Sequence, residues 1–374
     1  MTVVFSSLPP VMPQCVPVAY PTTVATTIIP TEDKTAGNGV RHGLVRAQKQ
    51  NNMPFIYSKP WRVQFFKHIK CPEDVFIPTE DCDAWRLCPE HRWVYNKLTI
   101  ALAQDLKAAP HCVLPPKALY PVFSKPLMNL KGMGAGSRVI PDEATFLKSL
   151  QPGHFWCTLL KGRHVSTDAA FVNGEMVWSR HTTGVPIGDG MFDYWHLHKE
   201  AMPEIEDWCG SWARKHLTGY TGMANFETIG GKIIEMHLRF TPQWADLYGD
   251  KWLNAVVRLY VDKVWEFDDS GRIDQYSVIL WGSQQRSYRL PPAVEISRAA
   301  AVPGVSSIQV PFHENTDSTT ASNPPGGFRL AIVNSSDLEA GRKATKILRE
   351  AIKEVDTKTH VNGVTGRAAC RCHK

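Results

Sequence analysis

Phe123-Ser124-Lys125-Pro126, followed by Lys131-Gly132-Met133-Gly134-Ala135-Gly136, reads as a lysine at the end of a strand leading into a glycine loop. Glycine alone reaches the backbone angles that let successive N–H groups close over phosphates. Much later in the chain comes Asn225-Phe226-Glu227, then Gly230-Gly231-Lys232-Ile233-Ile234-Glu235-Met236-His237-Leu238-Arg239. This reads as a strand hairpin turning at the glycine pair. A strand period of two places Glu235, His237 and Arg239 on one face and Ile234, Met236 and Leu238 on the other. Carboxylates such as Glu227 and Glu235 hold Mg²⁺ against nucleotide phosphates. The two stretches together describe a nucleotide site, one half gripping phosphate and the other gripping metal. Arg239 is then placed to stabilise charge developing on a transferred group.

Outward from these stretches, Val122 to Ser124 and Val139-Ile140 are expected as strands flanking the glycine loop, with Phe155 to Leu160 as another. Asn173-Gly174 is a two-residue turn signal between Val165 to Val172 and Met176 to Trp178. Helices are expected over Glu90 to Leu106, Glu204 to His216 and Lys251 to Trp265, the last with apolar residues at helical spacing. Trp61, Val63 and Phe65 alternate with Arg62, Gln64 and Phe66 as in a strand, and Val75-Phe76-Ile77 reads as a second one, stopped by Pro78. Phe328 to Val333 reads as a strand leading to a helix from Asp337, with Ser336 and Glu339 as a capping box. The domain reading is an irregular Pro- and Thr-rich arm over 1–50, an N-terminal α/β region over 51–88, a nucleotide-binding body over 89–300, a flexible loop over 301–327, a closing strand and helix over 328–356, and a disordered tail over 357–374. Thr182 to Trp195 is read as a lid loop.

The chain has 374 residues, 43% hydrophobic and 21% charged, an ordinary globular balance that suggests more than one core. Its net charge of +6 suits an anionic ligand, but Lys and Arg are scattered rather than concentrated with aromatics on one face, so a nucleic-acid partner is not expected. No run has the roughly 18 to 20 apolar residues of a membrane helix. The first thirty residues lack the basic region of a signal peptide, and the nine cysteines are dispersed and odd in number, which points to a reducing, cytoplasmic setting.

The order of these features resembles the ATP-grasp superfamily over roughly Val75 to Trp265, with Phe328 to Val355 as a closing piece. The resemblance rests on Asn96-Lys97, on Lys125 before the loop of Gly132, Gly134 and Gly136, on Gly162-Arg163-His164-Val165-Ser166-Thr167-Asp168, and on Glu227 with Glu235-Met236-His237-Leu238-Arg239. It implies an α+β or α/β architecture of two subdomains clasping ATP, with a small N-terminal α/β region before them. Lys97, Lys125, the three loop glycines and Asp168 would contact the nucleotide, and Thr158, Leu159 and Leu160 the adenine. Glu227, Glu235 and His237 would hold Mg²⁺, with Mn²⁺ as the alternative ion. His237 stands where the family commonly has asparagine, and His164 where it commonly has an acid. Arg239 and Lys125 would be the catalytic pair. The implied activity is ATP-dependent ligation: a substrate carboxylate becomes an acyl phosphate, and an amine or another nucleophile displaces phosphate. The partners would be small carboxylates and amines, or a peptide carboxylate. A phosphotransferase on the same fold and a non-catalytic nucleotide-binding protein are the alternatives.

Two further groups invite a metal reading. Cys82, Cys88 and His91, with Cys71 upstream, have irregular spacing without a tight Cys-x-x-Cys pair, and buried thiols beside a surface histidine account for them better. His196 and His198 alternate after Trp195 and so could face one side of a strand, binding metal, contacting substrate or serving structure.

Overall fold

The glycine-linked strand pairs expected from the sequence form one half of a large sheet, from its edge inward. The computed structural model describes residues 55–56, 59–70, 72–128, 134–188, 190–314, 324 and 326–355. The sheet has eight strands and is antiparallel throughout. Across it run Lys232–His237, Gly222–Ile229, His164–Val172, Glu175–Gly188, Met191–Leu197, Gln275–Gly282, Phe328–Ser335 and Val305–Gln309. Both tight turns use left-handed backbone: Asn173 and Gly174 have φ of 52° and 85°, and Gly230 and Gly231 have 56° and 76°. Positive φ at both central residues gives the turn whose twist matches the strands.

A smaller sheet of four antiparallel strands holds Ala108–Pro110, His154–Thr158, Val122–Pro126 and Arg138–Ile140, in that order. It joins the large sheet through Lys161 and Gly162, which pack against the Gly230-Gly231 turn. A Cβ on Gly230 would lie 2.3 Å from the Lys161 carbonyl oxygen, and one on Gly162 2.8 Å from the Gly230 Cα. Gly162→Ala and Gly230→Ala are each expected to cost about 2–4 kcal/mol through backbone strain and overpacking, measured by denaturant unfolding.

Side-chain alternation divides the large sheet. On one face Phe226, Met236 and Leu238 are buried with Trp212 and Cys209 of the Pro203–His216 helix. On the other lie Glu227, Asn225 and, directly opposite them, Glu235 and His237. A second core gathers Trp178, Trp244, Tyr248 and Trp252, the last on the Trp252–Val261 helix. The Leu338–Ala351 helix covers Leu330 and Val333 of its neighbouring strand. Full burial of such side chains contributes about 1.5–3 kcal/mol each.

Several expectations are corrected. The alternating Trp61 to Phe66 is a 3-10 turn, Pro60–Arg62, running into a short helix, Val63–Phe66. Pro60 at the first helical position and burial of the adjacent Phe65 and Phe66 favour helix over strand. The Glu90 to Leu106 helix is broken: Asn96 is extended and its side chain caps a new helix, Lys97–Leu102, by accepting from the Leu98 and Thr99 amides at 3.1 and 3.2 Å. The Thr182 to Trp195 segment is not a long loop, because Thr182 to Gly188 lies in the Glu175–Gly188 strand and Met191 to Trp195 in the Met191–Leu197 strand. The 301–327 segment contains the Val305–Gln309 strand, and the C-terminal helix is capped by Asp337, which accepts from the Ala340 amide, rather than by Ser336. The N-terminal arm, the tail after Thr357, Cys71 and Gly132 lie outside the described residues. Among the described residues no helix is long and apolar enough to cross a membrane.

Candidate functional site

A cleft of 1120 Å³ runs between the small sheet and the polar face of the large one. Lys97, Lys125, Glu227, Glu235, His237 and Arg239 all line it, with Gly134 on one wall. The Asn96 cap fixes Lys97 as the first residue of its helix, and the Lys97 amide donates to the Leu127 carbonyl, tying that helix to the strand that carries Lys125. Gln104, on the following turn, pairs its amide with the backbone of Ile233 at the open edge of the large sheet.

Lys97 is buried and its Nζ lies 2.8 Å from Glu235 Oε1. Lys125 Nζ donates to the Ile234 carbonyl at 2.7 Å. The hairpin register slips between Glu227 and Thr228, opposite Ile234, and such a bulge re-aims backbone groups. Burial lowers the Lys125 pKa. Glu227 lies opposite Glu235, with His164 Nε2 at 3.4 Å. Burial raises the Glu227 pKa, but the hydrogen bond and charge of His164, helped by His237 and Lys97, outweigh it and hold the carboxyl below its ordinary range. Burial likewise opposes charging of His164, yet Glu227 and Glu235 raise its pKa overall.

His237 is fixed from behind by a residue the sequence reading missed. Its Nδ1 donates to Asp81 Oδ1 at 3.0 Å, and Arg239 donates from Nε and from a terminal nitrogen to the same carboxylate, both at 3.0 Å. Burial pushes the Asp81 carboxyl up, but Arg239 and His237 together hold it well below the usual carboxylate range. An ionised Asp81 can only accept, so Nδ1 carries a proton, and Nε2 is the nitrogen that faces Glu227 and Glu235, at 4.0 and 3.8 Å. A carboxylate behind a histidine, with the other nitrogen facing further carboxylates, is the arrangement that orients a metal-ligating imidazole. The donor set of Glu227, Glu235 and His237 therefore fits a divalent cation, and its nitrogen member suits Mn²⁺ better than Mg²⁺.

Asp168 stands apart. It is buried, does not line the cleft, and accepts from Asn225 Nδ2 at 2.8 Å, the Thr241 amide at 3.0 Å, Thr241 Oγ1 at 3.1 Å and the Tyr248 hydroxyl at 2.5 Å. It is a positioning group for Asn225 and Thr241, which do line the cleft, rather than a nucleotide contact. Asp168→Ala should cost about 3 kcal/mol or more in unfolding free energy through orphaned donors, read by chemical denaturation. Thr158, Leu159 and Leu160 do not line the cleft either, and the Thr158 amide donates to the Lys107 carbonyl. Phe123, Ile229 and Ile234 supply apolar wall instead. Gly136 lies off the lining and packs near His154 and Pro126. Cys82 is exposed, against the expectation of a buried thiol.

At another part of the wall, Trp61, Arg62, Arg163, His313 and Arg329 join the lining. None of them, nor Asp81, was singled out from the sequence as a site residue. Arg62 sits at the start of a short helix where a strand was expected, and Asp81 opens the Asp81–Leu87 helix just past the Ile77–Pro78 strand.

No protein-family model and no curated protein matches the chain. Solved structures do. A phosphoribosylamine–glycine ligase from Thermotoga maritima is 14% identical, with 77% of this chain and 85% of that chain covered, at a TM-score of 0.53. A carboxyaminoimidazole ribonucleotide synthase from Aspergillus clavatus, complexed with ATP, is 12% identical over 70% of this chain and 74% of that chain, at 0.49. With the large antiparallel sheet, the smaller sheet and the cleft between them, the first of these likenesses shows that the chain has the ATP-grasp fold.

Proposed function

We propose that the protein is an ATP- and divalent-metal-dependent ligase that activates a carboxylate as an acyl phosphate and joins it to an amine or other nucleophile. The observation that carries this reading is the convergence in one cleft of two buried lysines, Lys97 and Lys125, with two facing carboxylates, Glu227 and Glu235. Buried cations opposite paired anions suit a ligand that brings both negative phosphate and positive metal. The fold is shared with a protein named as an amine–glycine ligase.

In this reading Lys97 and Lys125 bind phosphate oxygens. A divalent ion held by Glu227, Glu235 and His237 would supply Lewis-acid charge to the phosphates. A carboxylate oxygen of the substrate attacks the γ-phosphorus, and the bond to the β-bridging oxygen breaks with its electrons left on ADP. The amine then attacks the acyl carbon, inorganic phosphate leaves, and the amine proton passes to solvent. Arg239, held by Asp81, stabilises the charge that develops. The apolar wall of Phe123, Ile229 and Ile234 limits water, which would hydrolyse an acyl phosphate. Small carboxylic acids and amines are the substrate class, and the setting is a reducing one.

A screen of amino acids and small carboxylic acids for ADP release tests this. A condensed product by mass spectrometry is expected. A stable phosphorylated product would mean a phosphotransferase instead, and absence of stimulated ADP release by any acid would count against both.

A further inference from the structure

His196 and His198 take no part in the cleft chemistry. They alternate at the end of the Met191–Leu197 strand, so the period of two turns both rings to one side. The neighbouring strand pairs Tyr276 with His196 and brings Asp274, far away in sequence, to the same spot. One ligand atom from each of the three residues falls within 4.8 Å of the others. His196 Nε2 lies 2.8 Å from Asp274 Oδ1, and the two imidazole centroids are 4.0 Å apart. Donors about 2.0–2.2 Å from one ion lie within about 4.4 Å of each other, so a small side-chain shift brings all three to one ion.

The surroundings hold the donors in place without covering them. Tyr276 stacks on His196 at 4.9 Å and 16°, and the Lys199 amide donates to Asp274 Oδ1 at 3.0 Å. The His196 and Asp274 side chains remain 26% and 36% exposed, so an ion can reach them. His198 Nε2 meets Thr183 Oγ1 at 2.7 Å and an Arg163 terminal nitrogen at 3.0 Å. Arg163 can only donate, so Nε2 presents a lone pair and the ring is neutral. The unprotonated nitrogen is thus the one that Arg163 and Thr183 now face.

We propose that His196, His198 and Asp274 form a second metal site, distinct from the cleft carboxylates, for a borderline divalent transition ion such as zinc. Two imidazoles and one carboxylate are a donor set such ions take readily, with open positions left for water. The ion staples the Met191–Leu197 strand to the start of Gln275–Gly282. It also takes the lone pair that Arg163 now holds. Arg163 is exposed and lines the nucleotide cleft, so occupation of the second site releases a guanidinium toward the phosphates.

The test is Zn²⁺ affinity by competition with a chromophoric chelator, in a chain carrying Cys370→Ser and Cys372→Ser to silence the terminal thiols. In a Glu235→Gln background, which removes a cleft ligand, one ion per chain is expected, with a rise in melting temperature on binding. Adding His196→Ala with His198→Ala should abolish both. Asp274→Asn keeps an acceptor for the Lys199 amide and so decides the matter even where the double variant fails to fold. Its affinity should fall by roughly tenfold or more. Arg163→Ala should bind zinc more tightly, the opposite sign to the loss of a structural contact. Glu235→Gln should leave this zinc affinity unchanged. Unaltered affinity in Asp274→Asn, weaker binding in Arg163→Ala, or loss of the ion in Glu235→Gln would each overturn the proposal.

Discussion

Glu235→Ala is expected to lower ATP turnover by roughly a thousandfold or more, and to destabilise the fold at the same time. The first effect follows from the position of Glu235 directly across the hairpin from Glu227, where the pair and His237 can share one cation. The second follows from Lys97, which is buried and has Glu235 at 2.8 Å. Removing one partner of a buried pair leaves a charge without compensation, at a cost of about 3–5 kcal/mol. The two effects can be separated. Adding Lys97→Met should restore much of the stability and none of the turnover, because the ammonium is lost along with its partner. Unfolding curves and ADP release on the single and double variants check this. Full turnover in Glu235→Ala would remove the carboxylate from the chemistry.

The second large effect belongs to Asp81. This carboxylate holds both His237 and Arg239, and Tyr95 lies beside it with its hydroxyl at 3.3 Å from Oδ1. Asp81→Asn should cost about 3 kcal/mol, since the half-buried Arg239 loses its counter-charge. It should also weaken metal binding by roughly 10–100-fold, because His237 loses the group that fixes its tautomer and aim. The pH dependence carries a sign. The folded pKa of Asp81 is depressed by Arg239 and His237 against an opposing burial effect. Its stabilisation is therefore fully present above the ordinary aspartate range near pH ~4. It is lost as pH falls through the lower folded value. Wild type should accordingly lose stability on acidification below that range more steeply than Asp81→Asn. Parallel acid limbs in chemical denaturation would contradict the ion-pair account.

These two residues show what the sequence could and could not disclose. Glu235 was legible because its hairpin is local: the glycine turn, the period of two and the apolar partners Met236 and Leu238 all lie within a few residues of it. Asn173-Gly174 was legible for the same reason. Asp81 was not, because it reaches His237 across 156 residues and nothing near it in the chain reveals that contact. Asp168 misled in the opposite way. Its neighbourhood resembles a nucleotide-binding run, yet Thr241, Tyr248 and Asn225 close around it from elsewhere in the chain. The Thr182 to Trp195 segment misled through composition. Gly184, Pro186 and Gly188 suit a loop, whereas the strands absorb them with register shifts on both sides of Pro186. Trp61 to Phe66 alternates like a strand, but tertiary packing buries two adjacent phenylalanines and selects a helix.

The central claim is that one cleft holds both phosphate and metal through Lys97, Lys125, Glu227 and Glu235. Calorimetric titration of the protein with Mg·ATP, repeated with Mn·ATP, tests it most directly. The account expects a single site for nucleotide that is lost in Lys97→Ala with Lys125→Ala, is weakened in Glu227→Gln, and binds the manganese complex more tightly than the magnesium one. No heat of binding from either complex to the folded wild-type chain would contradict it.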